Sequence, residues 1–160
     1  MTDIKKTRLL IVEDQDEARK LIRISLSGPG YTLHEASTGV EAIAAVMEHS
    51  PDVVLLDIKL PGKINGFQVC SDIKNRLGKA GTFVILVSGL NNQESFEEAV
   101  LVGANAFFVK PLRLAGLVKM ITQRHLLKAR FTCVSSLQVL EDRHFYPSIE
   151  HALAHEMTTC

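Results

Sequence analysis

The sequence predicts an α/β fold, a mainly parallel sheet with helices on both faces. Five short apolar runs rich in Leu, Ile, Val and Phe recur along the chain. Segments with apolar residues at helical spacing separate them. Glycines, prolines and capping residues punctuate the joins. Right-handed crossovers then limit the topologies available.

The elements follow in order. RLLIV (Arg8 to Val12) reads as a short buried strand. DEARKLIRISL places Ala18, Leu21, Ile22 and Ser25 or Leu26 on one helical face, and Gly28, Pro29 and Gly30 end that helix. YTLHEA (Tyr31 to Ala36) alternates, as an exposed edge strand does. Thr38 and Glu41 offer a capping box for a helix that buries Val40, Ile43, Ala44 and Met47. Pro51 and Asp52 precede the strand VVLLD, which ends at Asp57. After a Pro-Gly turn, Phe67, Cys70, Ile73 and Leu77 mark the inner face of a third helix. FVILVS (Phe83 to Ser88) is a fourth strand, and Phe96, Ala99, Val100 and Gly103 mark a fourth helix. AFFVK (Ala106 to Lys110) is a fifth strand; Leu114, Leu117, Val118 and Ile121 mark a fifth helix.

Composition narrows the class. A chain of 160 residues makes one sizeable domain with at most a small appendage. Its 18 basic residues equal its 18 acidic ones, so no general field draws it to nucleic acid or anionic membrane. No run reaches membrane-spanning length, and the N-terminus lacks the apolar core of a signal peptide. Cys70, Cys133 and Cys160 are odd in number and far apart, which fits neither a disulfide framework nor a zinc site. These features lead us to expect a cytoplasmic protein with reduced thiols.

In a parallel α/β sheet, ligands gather beyond the C-terminal strand ends. Those ends carry Glu13 and Asp14, then Asp57, then Ser88, then Lys110; the second strand ends on Ala36 and Ser37. Each has a plain role open to it. Glu13 and Asp14 suit the first turn of a helix, Asp57 and Ser88 suit turns, and Lys110 suits a solvated strand end. Together they say more. Three crowded carboxylates repel one another unless a cation and Lys110 balance them. Oxygen-only ligands suit Mg²⁺. A carboxylate held there can attack phosphorus and form an acyl phosphate. Mg²⁺, Lys110 and the Ser88 hydroxyl would then meet the phosphoryl oxygens.

The fragments LLIVEDQDEAR, PDVVLLDIKLPGKINGF, VILVSGL and GANAFFVKPL stand in this order along the chain. In that order and at those spacings, Thr7 to His125 resembles the receiver domain of bacterial two-component response regulators, of the chemotaxis-regulator type. The resemblance implies a flavodoxin-like, doubly wound, five-stranded parallel sheet of order 2-1-3-4-5. It implies that Asp57 accepts a phosphoryl group from a sensor histidine kinase or a histidine phosphotransfer protein. Asp14, Asp57 and the main-chain carbonyl of Lys59 would hold Mg²⁺, with Glu13 acting mainly through water. Lys110 would pair with the phosphate, and its bond to Pro111 would be cis. Ser88 and Phe107 would be the switch pair, read out through the fourth helix, fifth strand and fifth helix. A homodimer through that face is a further expectation. PGKING is one residue longer than the family's usual turn, and phenylalanine at 107 replaces the common tyrosine.

Alternatives belong to other classes. A receiver-like interaction scaffold would keep the fold without phosphorylation. A phosphatase with an aspartyl-phosphate intermediate would need a second aspartate two residues after Asp57, where Lys59 stands. The expected domain is 7–125, with a partly helical extension over 126–160. There FTCVSSLQVLE is ambiguous between strand and helix, whereas YPSIEHALAHEM reads as a short helix. His151 and His155 read as surface histidines rather than metal ligands. The extension carries no nucleic-acid motif, so no direct nucleic-acid binding is expected.

Overall fold

The computed structural model describes residues 5–127 and 132–134. Strands and helices alternate: β1 (Thr7–Val12), α1 (Asp16–Ser25), β2 (Tyr31–Ala36), α2 (Gly39–His49), β3 (Val53–Asp57), α3 (Gly66–Ser71), β4 (Phe83–Ser88), α4 (Gln93–Leu101), β5 (Ala106–Val109), α5 (Leu114–Leu127) and β6 (Thr132–Val134). The five expected strands pair in parallel in the order β2-β1-β3-β4-β5. A sixth, β6, adds to β5 in parallel. The ambiguous segment after α5 therefore holds a strand over Thr132–Val134, and among the described residues it joins the five expected strands at the sheet's edge. The expected helix near Ile149 and the histidines at 151 and 155 lie outside the described residues.

The central strands β3 and β4 are buried along their whole length, as strands with a helical layer on each face must be. Alternate residues feed two cores. Leu10, Val12, Val54, Leu56, Val84, Leu86 and Phe107 face one, with α2, α3 and α4. Leu9, Ile11, Val53, Leu55, Ile85 and Phe108 face the other, with α1 and α5. β2 lies at an edge and is only partly buried.

Two helices depart from the expected faces. Along α2, Val40 is 66% exposed and Met47 53% exposed, while Gly39, Ala42 and Val46 are buried. The cause is a close approach. A side chain on Gly39 would strike Ile64, which packs there from the loop after β3. Small residues must therefore face inward. On α1, Ile22 and Leu26 are buried as expected, but Leu21 is 59% exposed. The other three inner faces hold in the main, with Leu77, Val100, Leu114 and Val118 only partly buried and Gly103 exposed. Past Ser71, α3 continues through Asp72–Arg76 as a π-helical turn, closed by Leu77 N–H on the Asp72 carbonyl at 2.8 Å.

Caps fix the helix starts. Thr38 accepts from Glu41 N–H at 3.1 Å, and the Glu41 carboxylate reaches back chiefly to Ser37 N–H and hydroxyl. That return bond falls one residue before the expected capping box. A reciprocal box forms at Asn65 and Gln68 and starts α3.

Candidate functional site

The chain alternation carries the chemical residues to one edge. β1 and β3 run side by side in parallel, so the residue after Val12 and the last residue of β3 reach the same rim. Parallel pairing of β3, β4 and β5 brings Ser88 and Lys110 to that rim as well. Glu13, Asp57 and Ser88 are buried there, with residual exposures of 3%, 5% and 3%. Asp14 is exposed and Lys110 half-buried.

Lys110 organises the centre. Its ammonium donates to Asp57 Oδ2 at 2.7 Å and to Glu13 Oε2 at 3.2 Å. Burial works to lower the pKa of Lys110, but hydrogen bonds and charge from Asp57 and Glu13 outweigh it and leave the pKa raised. The remaining oxygen atoms are held by main-chain donors. Lys59 N–H gives to Asp57 Oδ1 at 3.0 Å, and Gln15 N–H gives to Glu13 Oε1 at 3.1 Å. Buried carboxylates left without such partners would be costly.

Neighbouring backbone bonds lock the loops. Ile58 N–H donates to the Val87 carbonyl at 3.0 Å and Lys110 N–H to the Ser88 carbonyl at 2.8 Å. The Ser88 hydroxyl accepts from Leu90 N–H at 2.9 Å, so it is engaged by its own turn. The Lys110–Pro111 bond is cis, as the resemblance implied. Phe107 is fully buried, its ring edge-on to Phe96 of α4 at 4.8 Å between centroids.

The acidic set fits a hard cation. Glu13, Asp14 and Asp57 each offer an oxygen, and these atoms lie within 4.8 Å of one another. With all three ionised, one ammonium leaves two negative charges in excess, which a divalent ion balances. A cleft of about 270 Å³ opens beside the cluster, between Glu13, Asp57 and Lys110 and the apolar side chains of Leu21, Ile22 and Leu112.

A family model for the response regulator receiver domain matches residues 9–122. This chain belongs to the response regulator receiver family. The receiver is 30% identical over 165 residues to transcriptional regulatory protein ResD of Bacillus subtilis, a match covering 99% of this chain and 65% of that protein. It thus spans less than two thirds of ResD. It is 32% identical over 106 residues to chemotaxis protein CheY of Halobacterium salinarum, covering 66% of this chain and 86% of that one. A solved CheY-like receiver domain protein from Methanospirillum hungatei superposes with a TM-score of 0.69 at 26% identity, covering 78% of this chain and 98% of that chain.

Within the receiver, the structure brings Glu13, Asp14, Asp57, Ser88 and Lys110 to one rim, and Phe107 to the adjoining core. The Lys59 side chain is exposed, and its contact with the site is through its own N–H. Sequence reasoning missed three contributors. Gln15 supplies a main-chain donor, and Arg19 holds the Glu13 carbonyl at 2.8 Å. Gly66 lies against the Asp57 carbonyl so closely that any side chain would collide with it. The signal for Gly66 was its place directly after Asn65, which stands three residues before Gln68, where a helix cap turns the chain back against β3. Its N–H seals that return by donating to the Ile58 carbonyl at 2.9 Å.

Proposed function

We propose that Asp57 is the phosphoacceptor of a signalling switch. Receiver domains as a family are switches rather than enzymes in the usual sense. The observation that carries the reading is the Lys110 ammonium held between Asp57 and Glu13 inside a cluster of three carboxylates. The donor is the phosphohistidine of a sensor kinase or a histidine phosphotransfer protein. A carboxylate oxygen of Asp57 forms the new bond to phosphorus, the P–N bond breaks, and the leaving imidazole nitrogen is protonated. Lys110 supplies positive charge to the transferring group, and main-chain donors near Lys59 align it.

Asp14, Asp57 and the Lys59 carbonyl would hold Mg²⁺, with Glu13 acting through water. Both Glu13 oxygens already have donors, which suits that indirect role. Bound there, Mg²⁺ would neutralise charge on the phosphoryl oxygens. After transfer, the Ser88 hydroxyl leaves Leu90 N–H and donates to a phosphoryl oxygen. Phe107 follows, and the surface of α4, β5 and α5 shifts its population.

Incubation with acetyl phosphate and Mg²⁺, followed by intact mass measurement, tests this. We expect one phosphoryl gain, absent without Mg²⁺ and absent in Asp57→Asn. No gain in the wild-type chain would make it a receiver-like scaffold. Rapid turnover of the donor would make it a phosphatase.

A further inference from the structure

One face of the switch is already occupied by the chain itself. β5 has two edges. One pairs with β4, from Ile85↔Ala106 to Ser88↔Val109. The other pairs with β6, from Ala106↔Thr132 to Phe108↔Val134. Phe107 stands in both ladders, beside Leu86 on one side and Cys133 on the other. The next residue after β5 is Lys110, whose ammonium bridges Asp57 and Glu13.

This arrangement couples the tail to the site without any long path. β5 is four residues long and is pinned at its end by Lys110 N–H on the Ser88 carbonyl at 2.8 Å. A group added to Asp57 draws on Lys110 and Ser88 together, so it acts on both ends of one ladder step. β6 is three residues long, shorter than ordinary strands of about five or six. Few ladder bonds hold it, so its seating is sensitive to small shifts of its partner edge. An edge strand stripped of its cover presents unpaired N–H and C=O groups that accept another strand.

We infer that Thr132–Val134 is an intramolecular cover for the β5 edge, seated when Asp57 is unmodified and released when it is phosphorylated. The inference rests on the phosphoacceptor reading above and adds what that phosphorylation regulates. The output is then exposure of a strand edge, and β6 is the element that responds.

Amide hydrogen exchange on the full chain, read by mass spectrometry over 104–110 and 130–136, tests it. The unmodified protein protects both segments. Phosphorylation, verified by intact mass on the same sample, speeds exchange in both by about tenfold or more. A double variant, Cys133→Pro with Val134→Pro, gives the same fast exchange without phosphorylation. Successive N–H groups of a strand point to opposite edges, so one of the two prolines removes a donor facing β5. The pair Cys133→Val with Val134→Ile keeps the protection. Equal exchange at 104–110 in the unmodified wild type and the proline variant would show that β6 does not cover β5. Unchanged protection in a verified phosphorylated sample would overturn the coupling. Absence of the phosphoryl mass gain defeats the phosphoacceptor reading and the release with it, while the proline arm still decides the seating.

Discussion

At the scale of residues, Asp57 depends on neighbours that its own strand does not supply. Lys110 comes from 53 positions further along the chain, and Lys59 N–H from the turn. The raised pKa of Lys110 fixes a sign. A lysine whose pKa is higher folded than unfolded adds stability that is present below its ordinary value and is lost as pH rises through the folded one. Gly66 sets the other constraint, since a methyl there collides with the Asp57 carbonyl and the Ile58 backbone. Gly66→Ala is expected to cost about 1–3 kcal/mol in denaturant unfolding and to slow phosphorylation by displacing Asp57. Unchanged stability and rate would show that the loop yields freely. The strand-end side chains were legible because each follows an apolar run. Gly66 and the main-chain donor of Gln15 were not, because their contribution is backbone position, which side-chain patterning does not encode.

Among elements, the helices show where periodicity fails. α2, GVEAIAAVMEH, is apolar around most of its circumference, so the pattern offers more than one inward face. The approach of Ile64, from the loop between β3 and α3, decides between them. α3 and its π-helical continuation were legible because apolar residues at helical spacing, Phe67, Cys70 and Ile73, mark the buried side, with Val69 buried beside them. α2 also carries a pH-sensitive contact. His49, its last residue, stacks on His34 of β2 with ring centroids 3.7 Å apart. Burial lowers the pKa of His34, His49 lowers it further, and Glu48 opposes them. The unfolded chain therefore takes up the proton first as pH falls below the ordinary histidine value. The stability linked to His34 is present above that value and declines on acidification. Melting temperature should fall between about pH 7.5 and about pH 5.5, with a shallower slope in His34→Gln. Equal slopes in the two proteins would remove the pair from the account.

Over the whole molecule, the alternation of strand and helix was enough to predict a parallel α/β sheet, because each buried strand demands helices on both faces. The strand order came from the resemblance to receivers, and the sheet reproduces it. β6 escaped because FTCVSSLQVLE satisfies both periodicities and only the free β5 edge resolves it. Electrostatics also acts at this scale, since the site gathers acids from strands distant in sequence. Asp14→Asn should raise stability in EDTA by roughly 1 kcal/mol through relief of like-charge repulsion, and should abolish most of the melting-temperature gain on adding Mg²⁺. A full Mg²⁺-dependent gain in that variant would place the ion elsewhere. No described helix is long and apolar enough to cross a membrane.

The most direct measurement traps the acyl phosphate chemically. The protein is phosphorylated with acetyl phosphate and Mg²⁺, reduced with borohydride, digested, and sequenced by mass spectrometry. The account predicts homoserine at position 57 and nowhere else. Homoserine at position 14, hydroxynorvaline at position 13, or phosphate remaining on a hydroxyl or a histidine, would contradict it.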